Sequence, residues 1–227
     1  MSSPKQTRCW VLASRPTGNV VLDGENPTFT LQTRSLPALV DNQVLVKTIY
    51  LSNDPAQRWW INDELPRNLQ HLKPVKVGDV MGARGIAEVV ESTSSKFKKG
   101  DQVIHLAQLG WVEYAVLGDD EVAPIDPLPR GLSDAHYLGA FGANGLTAYY
   151  GLIVQCEPKQ SDTIVVSGAA GATGSIVVQI AKHLVGAQNV IGIAGSDDKC
   201  RWVEQLGADI CECIPWIDFG RQGLHWD

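Results

Sequence analysis

Residues 163–184 read TIVVSGAAGATGSIVVQIAKHL. The opening TIVVSG is a short run of β-branched residues closed by glycine, which predicts a buried strand. GSIVVQIAKHLV, from Gly174 onward, predicts a helix with an apolar face. Gly168, Gly171 and Gly174 lie between them at three-residue spacing. Such a turn must reverse tightly, let its backbone approach a ligand and bring the helix close to the strand. Glycine or alanine permits all three. Free N–H groups at the helix start, helped by the helix dipole, attract a pyrophosphate. The plain alternative is a turn of small residues that serves packing only. Strand before and helix after are the context that favours a dinucleotide.

Outward from this turn the pattern continues as a second strand, NVIGIAG, and a second helix, SDDKCRWVEQLGA. Alternation of this kind gives βαβ units and a parallel sheet. An NAD site usually ends its second strand in Asp or Glu, which binds the ribose 2′-OH. Here the tip is Gly195-Ser196, and Lys199 follows three residues later. A small tip leaves room for a 2′-phosphate, which a lysine neutralises, so NADP is favoured over NAD. Asp197 and Asp198 keep the ribose alternative open, since they also suit the first turn of a helix.

Residues 8 to about 125 read differently. CWVLAS, PTFTLQTRSL, NQVLVKTIYLS, GIAEVVEST, DQVIHLA and WVEYAVLG are short strand-like runs. Turn residues separate them at Thr17-Gly18, Asp41-Asn42, Lys99-Gly100-Asp101 and Gly118-Asp119-Asp120. The spacing predicts a small, partly open β-barrel. One short helix is expected over NDPAQRWWIND, with Asp54 as its N-cap and Pro55 in its first position. APIDPLPRGLSD reads as a connector. A helix is expected over DAHYLGAFGANGLTAYYGLI, broken near Gly142–Gly145.

The chain has 227 residues, with 44% apolar and 19% charged composition, as in a soluble globular protein. A net charge of −6 offers no concentrated basic face for nucleic acid or an anionic membrane. The five cysteines, Cys9, Cys156, Cys200, Cys211 and Cys213, are odd in number and scattered. That predicts free thiols in a reducing compartment rather than a disulfide framework. Cys211 and Cys213 alone do not complete a zinc site. MSSPKQTRCW lacks a signal-peptide core, and the apolar runs near 163–195 are interrupted before they could span a bilayer. Together these predict a cytoplasmic protein.

The segments YLSNDPAQRWWIND, VGDVMGARGIAEVVEST, LGAFGANGLTAYYGL, VSGAAGATGSIVVQIAK and IAGSDDKCRWVEQLGAD, in this order, carry a resemblance over about residues 8–210. The chain resembles the zinc-independent medium-chain dehydrogenase/reductases, and within them the NADPH-dependent alkenal and enone double-bond reductases. The resemblance implies an α/β protein in two domains. The first is a GroES-like β-barrel over residues 1–128. The second is a partial Rossmann domain, a doubly wound parallel sheet cut short, over 129–227, with substrate in the cleft between them. It implies that the backbone of Gly171, Ala172, Thr173 and Gly174 holds the pyrophosphate and that Lys199 meets the 2′-phosphate; Gly168 in the turn and Ser196 at the strand tip are read as cofactor-binding with them. Asn53, Asp54, Gln57 and Arg58 fall on the family's helix near the nicotinamide, and Thr147 lies beside the cofactor. A helix cap and a structural ion pair are the plain readings of Asp54 and Arg58.

The related zinc alcohol dehydrogenases require Cys, His and a nearby Glu. GDVMGARGIAEVV has no His-Glu pair, and His71 and His105 lack a neighbouring cysteine. Hydride addition to the β-carbon of a conjugated carbonyl needs no metal. It needs orientation, donors for the enolate oxygen and a proton for the α-carbon. The resemblance covers roughly the first two-thirds of the family's length, so the family's proton-relay tyrosine has no counterpart here, and no catalytic residue is assigned. After LGADI the chain reads CECIPWIDFGRQGLHWD, with Ile214 at a family tyrosine position and no clear period. Two functions follow as expectations. One is an NADPH-dependent reductase of an enone or alkenal, alone, as a homodimer or with another subunit. The other is a catalytically inactive remnant or nucleotide-binding module.

Overall fold

The structure, a computed structural model, describes residues 4–63, 74–105 and 109–214. The chain divides into two compact units, Met1–Leu138 and Gly139–Asp227. They part somewhat later in the chain than the compositional change near 128/129.

The first unit is antiparallel. β1 (Gln6–Leu12) pairs with β2 (Phe29–Ser35) as a two-stranded sheet. β3 (Gln43–Leu51), β4 (Gly85–Ser92), β5 (Gln102–His105), β6 (Tyr114–Gly118) and β7 (Val122–Pro124) form a five-stranded sheet in the order β6-β3-β4-β5-β7. Single bridges, Cys9 to Val112 and Val11 to Val80, tie β1 to the strand residues around the second sheet. Register shifts at Leu45/Val46 and Thr48/Tyr50 bend β3 against β4, as bulges do where a sheet curls toward a barrel. The turn at Asp41-Asn42 puts Asn42 at φ 62°, a left-handed conformation that asparagine tolerates.

Two cores result. Val44, Val46, Ala87, Val89, Phe97, Val103, Leu109 and Val122 pack inside the curled sheet. Leu12, Phe29, Ile61 and Met81 form a second cluster under β1 and β2. Each buried valine or leucine contributes about 1.5–3 kcal/mol relative to exposure. β7 begins inside the segment read as a connector. Pro124 sits opposite Val103 on this edge strand, where a missing N–H costs no ladder bond.

The short helix differs from expectation. α1 runs Gln57–Trp60, with Ala56 at its start and no capping side chain. The Asp54 carboxylate instead accepts from the Ser52 hydroxyl at 3.1 Å. The Asp54 N–H donates to Gln57 Oε1 at 3.0 Å, and the Gln57 N–H donates back to the Asp54 carbonyl at 2.9 Å. This reciprocal pair closes a turn at Pro55-Ala56 and delays the helix.

In the second unit the sequence reading placed one helix from Asp134, broken near Gly142–Gly145. A 3₁₀ turn, Asp134–Leu138, lies in the first unit, and α2 starts at Ala143, running to Tyr149 and on as a π-helical stretch, Tyr150–Gln155. The break therefore falls at 139–142. Gly145 is required because a Cβ there would fall on the Ala140 carbonyl, whose segment crosses the helix start.

β8 (Thr163–Val166), α3 (Ala172–Gln179, continued as a π-helical stretch, Ile180–Val185), β9 (Asn189–Ala194), α4 (Asp197–Gln205) and β10 (Ile210–Cys213) then alternate. The strands are parallel in the order β10-β9-β8. Val166, Val190, Ala169, Val178, Ala181 and Val203 build the core between sheet and helices. β10 corrects the reading of the tail: CECI continues the sheet, and the Ile214 N–H donates to the Ala194 carbonyl at 2.9 Å. Pro215 and the rest of the tail lie outside the described residues. Among the described residues no helix is long and apolar enough to cross a membrane.

Candidate functional site

The glycine turn lies at the carboxyl end of β8, where open α/β sheets bind ligands. Gly168 has φ 58°, the left-handed region that glycine enters without strain. The Gly171 N–H donates to the Gly168 carbonyl at 2.8 Å and closes the reversal. A Cβ on Gly174 would overlap the same Gly168 carbonyl, so the helix approaches the turn more closely than any other residue allows. The first bond inside α3 runs from the Ser175 N–H to the Gly171 carbonyl at 2.9 Å. Gly171, at the N-cap, supplies no capping side chain. The amides of Ala172, Thr173 and Gly174 thus lie at the open helix end with no capping side chain.

The second strand tip is held beside this turn. The Ala169 N–H donates to the Ile193 carbonyl at 3.0 Å, and Gly192 leaves the space that Ala169 and Val203 occupy. Ser196 is the N-cap of α4, accepting from the Lys199 N–H at 3.4 Å. The structure clarifies the charges that the sequence left ambiguous. Asp198 pairs with Arg201, and Asp197 accepts a hydrogen bond from the Cys213 thiol. The Lys199 ammonium is exposed and has no partner among the described residues. Both carboxylates are therefore engaged, while the one cation at the strand tip is available.

Thr147 and Thr173 are joined to the turn through packing of α2 on α3. The Thr173 hydroxyl donates to Asn144 Oδ1 at 3.1 Å. The Thr147 hydroxyl donates to the Ala143 carbonyl at 2.7 Å, a bond within its own helix. Asn144 is a neighbour the sequence reading missed. Its position three residues ahead of Thr147 in GANGLTAY was the available signal.

Asn53, Asp54, Gln57 and Arg58 belong to the first unit. The Gln57 amide donates to the Gly82 carbonyl at 2.8 Å in a buried setting. Arg58 donates to the carbonyls of Pro16 and Gly18 at 3.3 and 3.1 Å, so it fastens the loop after β1. Asn53 is exposed, and its side-chain amide is unpartnered among the described residues.

The thiols are arranged in a way their spacing did not reveal. Cys200 on α4 hydrogen-bonds both Cys211 and Cys213, which project from β10 on one face. Burial first, then the Cys200 thiol, pushes the Cys211 thiol up to about 12, which leaves it protonated and unreactive. Burial also raises Cys213, with Asp197 next. His105 is lowered by burial, partly opposed by Glu121. Among the described residues no three His, Cys, Asp or Glu side chains form a group that could hold a metal ion. His71 lies outside the described residues.

An antiparallel half followed by a βαβαβ unit with a glycine turn at its carboxyl edge defines an α/β protein. Residues 8–125 match the family described as the N-terminal domain of oxidoreductase. The chain is 38% identical over 224 residues to the NADPH-dependent curcumin reductase of Escherichia coli (strain K12), covering 98% of this chain and 61% of that protein. It is 40% identical over 190 residues to prostaglandin reductase 1 of Bos taurus, covering 82% of this chain and 52% of that one. The solved structure of CurA from Vibrio vulnificus is similar with a TM-score of 0.76 at 36% identity, over 91% of this chain and 57% of CurA. A second CurA structure, in complex with NADPH, matches at the same TM-score and 35% identity. The chain belongs to this oxidoreductase family. It spans 61% and 52% of the length of these two curated relatives.

Proposed function

We propose that this chain binds NADPH and reduces the activated double bond of an enone or alkenal without a metal. The observation that carries this reading is the pairing of open amides at Ala172–Gly174 with an unpartnered Lys199 at the neighbouring strand tip. The amides would donate to the diphosphate, and Lys199 would neutralise a 2′-phosphate that NADH lacks. The residues fit the group, since a Cβ at Gly174 would close the turn on itself and no capping side chain fills it.

NADPH, when bound, supplies the hydride. Ser196 keeps the strand tip small, and Gly168 sets the direction of the turn. Asn53 offers a side-chain amide that is unpartnered among the described residues, suited to an oxygen that gains negative charge. Thr147, from α2, would line the cofactor's path. The barrel-like half, residues 1–128, would serve the substrate, and residues 129–227 the nucleotide.

A second reading is a nucleotide-binding module without turnover. It is favoured by the three-stranded sheet, where Val165 and Ile210 remain 59% and 53% exposed on the face turned away from α3 and α4. Calorimetry with NADPH and the loss of NADPH absorbance with a simple enone separate the two. Binding with turnover supports the reductase, and binding without turnover supports the module. No heat with NADPH or NADH on folded protein would sink both.

A further inference from the structure

Two helices begin beside the glycine turn, and one polar contact joins their first turns. Asn144 lies in the first turn of α2 and Thr173 in the first turn of α3. The Thr173 hydroxyl donates to Asn144 Oδ1 at 3.1 Å, and both residues are half-buried. The hydroxyls on either side behave differently. That of Thr147 donates to the Ala143 carbonyl at 2.7 Å, and that of Ser175 to the Ala172 carbonyl at 3.1 Å, each within its own helix. Of these three hydroxyls, only that of Thr173 reaches another element. The Nδ2 group of Asn144 has no partner among the described residues.

This contact conflicts with an anion at the turn. Side chains of a helix lean toward its N-terminus, so the Thr173 hydroxyl lies toward the open amide end. A hydroxyl has one proton and two lone pairs. While Asn144 Oδ1 holds the proton, an anionic oxygen approaching the Thr173 N–H meets a lone pair. The asparagine can remove the conflict. Its last side-chain torsion has two roughly equivalent states, which exchange Oδ1 and Nδ2. With Nδ2 inward, the amide donates to Thr173 Oγ1, and the hydroxyl proton is released toward the anion. The half-buried setting leaves the displaced Oδ1 within reach of water. The resulting chain, amide to hydroxyl to anion, ends in a charge-assisted bond, and each link polarises the next.

We infer that Asn144 is a positioning residue for the nucleotide site: its amide turns to donate to Thr173 Oγ1 and so aims the Thr173 hydroxyl at the diphosphate. The inference rests on the NADPH reading of the turn, and the two fail in different measurements. Calorimetry with NADPH is run on single and double variants, with circular dichroism to establish that each is folded. Thr173→Val keeps the branched shape and weakens NADPH about tenfold. Asn144→Ala weakens it about threefold in the unaltered chain and has no further effect in Thr173→Val. Asn144→Asp separates positioning from structure. A carboxylate keeps the acceptor that Thr173 uses in the free protein, so a merely structural link between α2 and α3 would survive, but it cannot donate. Asn144→Asp therefore weakens NADPH about twentyfold in the unaltered chain and only about threefold, by charge repulsion, in Thr173→Val. Equal losses for Asn144→Asp in the two backgrounds, or binding as tight as in the unaltered chain, overturns the inference and leaves the nucleotide reading standing. If Asn144→Asp does not fold, Asn144→Ala carries the test, and a loss that is the same with and without the Thr173 hydroxyl overturns the inference. No heat with NADPH on the folded, unaltered chain overturns both.

Discussion

The two sheets of this protein cover their strands differently. In the antiparallel unit Val44, Val46, Val89 and Val103 are essentially inaccessible, and Lys47 and Glu91 on the same strands face solvent. Sequence and burial agree there. In the parallel unit β9 buries Val190, Gly192 and Ala194 under the helices. Its other face carries Ile191 and Ile193, and across the register Val165, Ile191 and Ile210 form a row of branched apolar residues. Parallel strands are ordinarily apolar on both faces because helices cover both. The composition of β8, β9 and β10 is thus suited to two layers of cover, and α3 and α4 supply one. The first unit resembles a finished domain. Among the described residues, the second is a glycine-turn unit built on a sheet with an apolar surface to spare.

The comparison breaks most sharply at the turn. Gly174→Val would force a side chain onto the Gly168 carbonyl, a backbone atom that cannot swing aside. The expected cost is about 3 kcal/mol, by analogy with overpacked cores, and for a unit of this size that lowers its midpoint by roughly 12–24 °C. NADPH binding should vanish with it, because the same displacement moves the amides of Ala172 and Thr173. Thermal unfolding followed together with calorimetry checks both. A variant that melts normally and binds NADPH as before would mean the close approach is not what shapes the cradle.

A smaller effect tests whether the two units hold themselves together separately. Val203 and Val89 are both fully buried, in cores made wholly within their own units. Val203→Ala and Val89→Ala should each cost about 2 kcal/mol through lost burial and a residual cavity. Each should move a different step of the unfolding curve, and NADPH should restore only the step moved by Val203→Ala. One common transition, shifted equally by either change, would show the units to be a single cooperative body.

Smaller still is the charge at the strand tip. Lys199→Ala removes one charge-assisted contact, which should weaken NADPH about tenfold and leave NADH nearly unchanged. Calorimetry with the two nucleotides reads the difference directly. An equal loss for both would assign Lys199 to the diphosphate or to helix stability. A gain for NADH would point instead to Asp197 or Asp198 on the ribose.

How much of this was legible beforehand depends on the range of the interaction. The glycine turn was readable because its logic is local: three glycines within seven residues, a strand before and a helix after. The placement of Ser196 and Lys199 at the tip of β9 followed from the same short span, and Ser196 proves to be the helix cap. α1 was misplaced because Asp54 found a closer partner in Ser52, and Gln57 reached back to the Asp54 N–H. β10 was missed since four residues of alternating Cys and polar character carry little period on their own, and the ladder to β9 decides them. The thiol trio depends on the ladder between β10 and β9 and on the packing of α4 against β10.

The finest distinction between the units is electrostatic. In the second, the Asp209 carboxylate accepts from Lys182 at 2.6 Å and from the Val190 N–H at 2.8 Å, pinning the start of β9 to the loop before β10. Lys182 first, then the Val190 N–H, holds this carboxyl below the ordinary aspartate range. A folded-state value below the unfolded one gives stability that is fully present above about pH 4 and is lost as pH falls through the folded value. Asp209 is 38% exposed, so solvent screens the pair and its contribution stays under about 1 kcal/mol. Asp209→Asn should therefore lower the midpoint of the second unit by a few degrees at pH 7. The gap between variant and parent should narrow steadily from pH 4.5 to pH 3, while the step assigned to the first unit shows no such convergence with this substitution. A gap independent of pH would mean that Asp209 acts through its backbone-facing oxygen alone, which asparagine can reproduce only in part.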